Sequence, residues 1–191
     1  VDAIDYGVHD PELRNNPPRH QGSAAPGAGA GVGSPYDMQY HFWNKARPQL
    51  VELFLKPLHA LTERYDAKVL LGEISGDHAL LRAAEYTNGG GLDIVYTFDL
   101  LTCPGRPDAI RAVVEELESE IGDGWACWSF GNHDVPRPVS RFGGGSPPEG
   151  LRRLIPVLLG SLRGTISLYQ GEELGMANFP FRSLEEFADV E

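Results

Sequence analysis

Cysteine is almost missing from this sequence. Cys103 and Cys127 are the only two, one expected in a loop after a strand and one inside a strand. Two thiols so placed make neither a disulfide framework nor a metal site, and they favour a reducing compartment. Basic residues are also scarce, with 16 Lys and Arg against 27 Asp and Glu and a formal net charge of −11. A surface that neutralises phosphates needs clustered Lys and Arg, so a nucleic-acid partner is excluded and a neutral ligand fits better. No apolar run approaches a membrane span, and no signal-peptide pattern opens the chain. The expected location is therefore the cytoplasm, with no membrane partner. The first residue is Val1, in the middle of what reads as a strand, so the true amino terminus is expected upstream. No GxGxxG or P-loop follows any strand, which removes the main nucleotide-binding open sheets. His9, His20, His41, His59 and His78 lack metal-ligand spacing.

What is present is a regular alternation of short apolar runs and helical periodicities. Val1 to Ile4 reads as the end of a strand, and Ala3 to Pro35 as one long loop. Within that loop Gln21 to Pro35 (QGSAAPGAGAGVGSP) is Gly/Ala-rich and expected to be flexible. Leu50, Val51, Phe54, Leu55, Leu58 and Leu61 recur at helical spacing, predicting a helix over Pro48 to Tyr65 with a kink at Pro57. Strands then follow at 68–73, 92–100, 126–131 and 165–169. Helices alternate with them at about 77–86, 107–121 and 148–163, and a short one begins at Ser183. Asn88-Gly89-Gly90-Gly91 should close the helix before it, and Pro107 and Gly122 frame the next. Short, apolar strands without clean alternation, separated by helices, specify an α/β architecture, either a doubly wound sheet or a (β/α)8 barrel. A whole barrel takes about 250 residues. The 191 residues supply the tip of one strand and the later strand and helix units, roughly the second half of a barrel in a single partial domain.

The most informative stretch is ACWSFGNHDVPRPVSRF, from Ala126 to Phe142. A buried strand ends in Gly131, Asn132, His133 and Asp134, and Pro136 and Pro138 are read as forbidding a regular continuation. In parallel α/β folds the carboxyl ends of the strands are where ligands bind. On spacing alone a His-Asp pair there serves equally as a loop hydrogen bond. Val69 to Glu73 (VLLGE) repeats the form, and VDAI sets Asp2 in apolar company. Three strand ends thus each present an acid.

Together VDAID, HDPELRNNPP, LLGEISGD, TFDLL, FGNHDVPRPVSRF and LYQGEELGM resemble the α-amylase superfamily, glycoside hydrolase family 13, in its α-glucosidase and oligo-1,6-glucosidase branch. The likeness spans nearly the whole chain apart from the Gly/Ala-rich loop, and it implies the end of strand 4 through strand 8 of a (β/α)8 TIM barrel. The resemblance also implies a retaining mechanism, in which a carboxylate nucleophile and a protonated carboxyl stand about 5 Å apart. On matching motifs Asp2 is implied as the nucleophile and Glu73 as the acid and then base. Asp134 is implied to bind ring hydroxyls, its charge helping to hold the proton on Glu73, and His133 to donate to the same sugar. Phe98 falls where the family has an aromatic pocket wall. Arg137 and Arg141 are candidates for the pocket entrance, with surface ion pairs the plainer reading. Asn132, Glu172 and Glu173 are read as structural.

One position bears on linkage. In the resembling branch the residue after the nucleophile is valine with α-1,6 preference and a smaller residue or threonine with α-1,4, and here it is Ala3. The expectation is an exo-acting α-1,4-glucosidase on maltose-like oligosaccharides or sucrose. Oligo-1,6-glucosidase, sucrose isomerase and trehalose synthase share all three acids and remain alternatives, as does a non-catalytic glycosidase-like partner subunit. No cofactor is expected, and the family's structural Ca or Mg site would lie in the missing amino-terminal half of the barrel, together with the Arg two residues before the nucleophile. That half is the expected protein partner. Two unpaired strand edges make the piece alone expected to be unstable or self-associating, and almost inactive.

Overall fold

The computed structural model describes residues 1–8, 10–14, 48–75, 78–144 and 146–186. The Gln21 to Pro35 segment lies outside the described residues. The first helical stretch comprises α1 (Pro48–Leu50), a π-helical turn over Val51–Leu55 and α2 (Lys56–Thr62). Pro57 accounts for the widening. A proline ring clashes with the carbonyl four residues back, and here the Lys56 amide reaches the Val51 carbonyl five residues back.

The alternation continues as β1 (Leu71–Ile74), α3 (Ala79–Asn88), β2 (Ile94–Thr97), α4 (Asp99–Thr102) and α5 (Pro107–Ile121). It then runs through β3 (Cys127–Trp128), α6 (Pro138–Gly143), α7 (Glu149–Ser161) and β4 (Thr165–Ile166). Several segments differ from the sequence expectation. Pro138 opens α6 instead of barring regular structure, because a proline in the first helical turn lacks only an amide that would be unpaired there anyway. The run expected as one strand to Leu100 stops at Thr97, and Asp99–Thr102 turns helical. The supposed loop after Asp2 begins with a 3-10 turn over Ile4–Tyr6.

β1 and β2 pair in parallel with Glu73 opposite Tyr96, and β3 and β4 pair in parallel with Cys127 opposite Thr165. A parallel bridge between Val95 and Ala126 links the two pairs. Val1 extends the array on the other side, its amino nitrogen donating to the Leu71 carbonyl and its carbonyl accepting the Glu73 amide. The strands thus lie side by side in chain order and in one direction. A doubly wound sheet would reverse its order; a sequential one is the winding of a barrel.

Along β1 and β2 burial alternates strictly. Gly72, Ile74, Val95 and Thr97 are buried, whereas Leu71, Glu73, Ile94 and Tyr96 are only partly covered. The buried face packs into a core with Leu80, Ala83 and Tyr86 of α3, Leu117 and Ile121 of α5, and Ile155 and Leu159 of α7. Gly72 is fixed by close approach, since a Cβ there would meet Leu92 Cδ1 at 2.4 Å. Trp128 fills the core beneath β3 and β4, and its indole nitrogen donates to the Arg163 carbonyl at 2.8 Å. The half-covered face carries the acids. Among the described residues no helix is long and apolar enough to cross a membrane.

Candidate functional site

Asp2 and Glu73 stand on neighbouring parallel segments, held together by the two backbone bonds of Val1. Their carboxyls hydrogen-bond directly, closer than the roughly 5 Å that separates the pair in a retaining glycosidase with a bond between them. Two carboxyls in contact cannot both ionise, so the proton must go to one. Glu73 holds it. Partial burial, then the Asp2 hydrogen bond and charge, push Glu73 up to about 7. Asp2, the more exposed of the two, is held below the usual carboxylate range, first by the Glu73 hydrogen bond and then, against a small burial effect, by the charge of His133. One acid and one carboxylate therefore face each other at neutral pH.

Asp2 is anchored from behind. The chain turns at Ala3, whose φ of 44° and ψ of 46° lie in the left-handed region, and then buries Ile4 and Asp5. Asp5 accepts from Tyr86 Oη at 3.0 Å and from Arg82 Nη2 at 3.3 Å, with Arg82 Nε 3.2 Å from its other oxygen. Arg82 also donates to the Ser75 carbonyl at 2.8 Å, just past the end of β1. One guanidinium so ties the turn after Asp2 to the strand that carries Glu73.

The third acid arrives from β3. The Asp134 amide donates to Asn132 Oδ1 at 2.9 Å, and Asn132 Nδ2 donates to Asp134 Oδ2 at 3.2 Å. His133 Nε2 lies 3.3 Å from Asp134 Oδ1, with both side chains well exposed. Gly131 permits this turn, because a Cβ there would strike the buried Glu172 Oε1 at 2.6 Å and Pro138 Cδ at 3.1 Å. Glu172 accepts the Tyr169 amide and Glu173 the Gly171 amide, each at 2.8 Å. Both thus act as turn caps, in keeping with the structural role read from the sequence.

The structure brings Asp2, Glu73, His133 and Asp134 to one edge of the sheet. Phe98 stands beside them, half-buried, its ring 6.5 Å from that of Tyr96 in a stacked arrangement. The two arginines are engaged elsewhere. Arg141 donates to the carbonyls of Leu100, Cys103 and Phe130 and lies 4.4 Å over the Phe142 ring, clasping β2 to β3 beneath the site rather than standing at an entrance. Arg137 donates to the Gln170 carbonyl at 2.8 Å and lies 4.8 Å from the Tyr169 ring centroid. Backbone carbonyls and rings replace the ion pairs that were the plainer reading of both, because each guanidinium bridges strand-end loops whose carbonyls have no ladder partner.

Two members were missed in the sequence. Tyr96, opposite Glu73 in the β1–β2 register, directs its hydroxyl at both Glu73 and Asn132. Its signal was the spacing of two from Phe98, which puts both rings on the face of Glu73 once the strand is placed. Asn132 connects Tyr96 with Asp134 and is thereby part of the site. The charge of Asp134 also acts differently from expectation. It bears on Tyr96, whereas the neighbouring charge that raises Glu73 is that of Asp2. Among the described residues no group of three or more His, Cys, Asp and Glu side chains is arranged to hold a metal ion.

Residues 16–190 match the model of the alpha-amylase catalytic domain. The chain belongs to the alpha-amylase family. That match takes in Glu73, His133 and Asp134, and Asp2 lies before it. Among curated alpha-amylase relatives, a probable alpha-glucosidase of Rhizobium meliloti (strain 1021) is 39% identical over 186 residues, covering 93% of this chain and 32% of that protein. A glucan 1,6-alpha-glucosidase of Streptococcus dysgalactiae subsp. equisimilis is 42% identical over 86 residues, covering 44% of this chain and 16% of that protein. The crystal structure of an alpha-glucosyl transfer enzyme superposes with a TM-score of 0.82 at 41% identity, over 92% of this chain and 32% of that one. The chain spans about a third of the length of the relatives it matches most fully.

Proposed function

We propose that this chain carries the catalytic acids of a retaining α-glucosidase and corresponds to the end of strand 4 through strand 8 of its (β/α)8 barrel. Asp2, ionised, attacks the anomeric carbon to form a glucosyl ester. Glu73, protonated, gives its proton to the departing glycosidic oxygen and then, as a base, takes one from the water that releases glucose. Asp134 and His133 grip ring hydroxyls, and Phe98 lines the sugar's apolar face. Both steps are complete with two carboxyls, so no cofactor is required. The observation that carries this reading is the divided ionisation of Asp2 and Glu73 at adjoining strand ends. To admit a glycosidic bond the two carboxyls must part from their direct contact, and Asp2, on the more exposed segment, is the one free to do so.

The test uses an enzyme spanning the full barrel and containing this chain. Glu73→Gln should lose hydrolysis of maltose by about 10²-fold or more yet keep much of its first step on aryl α-glucosides whose leaving groups need no proton. Asp2→Asn should lose both. Equal loss on both substrates in Glu73→Gln would remove Glu73 as the acid.

A second reading concerns the fate of the glucosyl ester. The α-glucosyl transfer enzyme that superposes over 92% of this chain supports passage of glucose to a sugar hydroxyl in place of water. Incubation with concentrated maltose separates the two, transfer yielding trisaccharide and hydrolysis only glucose. Ala3 supports α-1,4 preference, and Ala3→Val should raise activity on isomaltose relative to maltose; an unchanged ratio counts against it.

A further inference from the structure

We propose that Tyr96 is a positioning residue for Glu73, its hydroxyl joining the acid on β1 to the Asn132–Asp134 turn after β3 so that the two halves of the site are set together. This inference rests on the reading of Glu73 as the acid, and it concerns a residue to which the family motifs in this sequence give no part.

The geometry comes from register. Glu73 and Tyr96 are directly paired across a parallel ladder, which puts both side chains on the same half-covered face. Tyr96 cannot swing away freely, because its ring stacks on that of Phe98 at 6.5 Å with 24° between planes. From that position the hydroxyl interacts with the Glu73 carboxyl on one side and the Asn132 amide on the other. Asn132 is buried and is committed in turn to Asp134 through the 2.9 Å and 3.2 Å bonds of its turn. A phenol can donate one hydrogen bond and accept another. Donation to Glu73 and acceptance from the Asn132 amide use both capacities at once. The result is a chain of contacts from Asp2 through Glu73, Tyr96 and Asn132 to Asp134, crossing four segments of the sheet edge.

The chemical effect has a definite sign. Donation by Tyr96 favours the ionised form of Glu73, opposing burial and Asp2, which favour the protonated one. Tyr96 thus holds the acid near neutrality, low enough for the same group to serve as base in the second step. The other groups around this pair are Asp2 and the Ala3 backbone on the amino-terminal side, and His133 and Asp134 on the β3 side. His133 bears on Asp2, and Asp134 on Tyr96.

The experiment titrates this chain itself, labelled with ¹³C at the glutamate carboxyls, by NMR, with Glu73→Gln identifying the Glu73 signal. In Tyr96→Phe, which keeps the ring stack, the Glu73 midpoint should move up by about half a pH unit or more, the size of a lost hydrogen bond to a partly exposed carboxylate. Site-specific 3-fluorotyrosine at position 96, a stronger donor, should move it down. Opposite displacements of these two variants support the proposal; a purely structural role for the ring predicts no such pair. An unmoved midpoint in both variants, or displacement in the same direction, overturns it. Should Tyr96→Phe fail to fold, the fluorotyrosine chain decides alone, a fall supporting the proposal and no change refuting it. Because the readout is a midpoint and not turnover, the inference can survive with no glycoside hydrolysed, and can fail while hydrolysis proceeds through Asp2 and Glu73.

Discussion

Arg82 Nε lies 3.2 Å from Asp5 Oδ1, and both side chains are almost fully buried. Removing one member of such a pair leaves a charge without compensation in the interior, whereas removing both does not. Arg82→Met should therefore cost about 3–5 kcal/mol, and Asp5→Asn a comparable amount. The double variant should recover most of the loss. Urea denaturation of the four proteins measures this as a double-mutant cycle, and additive losses would mean that the two residues act separately.

The ionisation of Glu73 makes folding depend on pH. Its folded value, about 7, stands above the unfolded 4.5, so the folded chain binds the extra proton between these limits. Stability from this group is greatest below about pH 4.5 and declines as pH rises to about 7. Glu73→Gln removes the titrating carboxyl. The variant should gain on the parent as pH rises through that window, and parallel stability curves would contradict the assignment.

The same group sets the alkaline side of activity. The acid must be protonated, so kcat/KM of the full-barrel enzyme should begin to fall near pH 7. A profile still level at pH 9 would mean that a different group gives up the proton.

Ala3 occupies a left-handed conformation, φ 44° and ψ 46°, which costs an L-residue about 1–2 kcal/mol and a β-branched one more. Ala3→Gly should be stabilising by up to about 1 kcal/mol, and Ala3→Val destabilising. Thermal unfolding of both distinguishes this strain from any change in linkage preference. The α-1,6 and α-1,4 activities of Ala3→Val must accordingly be compared as a ratio.

How far the sequence was legible follows the physics of each segment. Helix α5 was read to its printed ends, Pro107–Ile121, because proline, apolar periodicity and the following Gly122 all point the same way. Asp2, Glu73 and Asp134 were legible as strand-end acids because glycine or a short apolar run isolates each. Strand lengths were not. Phe98 to Leu100 is as apolar as the strand before it, and only tertiary packing makes Asp99–Thr102 turn helical. Arg137 and Arg141 were misjudged since a cation's usual partner is an acid, and here it is the unpaired carbonyls at strand ends. Tyr96 escaped notice for a different reason. Its part depends on lying opposite Glu73, and parallel register between segments twenty residues apart is fixed by the core, not by either segment alone.

The most direct test of the division of labour between Asp2 and Glu73 is covalent trapping. A fluorinated α-glucosyl fluoride forms the glucosyl ester quickly and hydrolyses slowly, so the full-barrel enzyme, digested and analysed by mass spectrometry, should carry one fluoroglucosyl group on the peptide containing Asp2. An adduct on the Glu73 peptide, or turnover with no ester at all, would contradict the assignment.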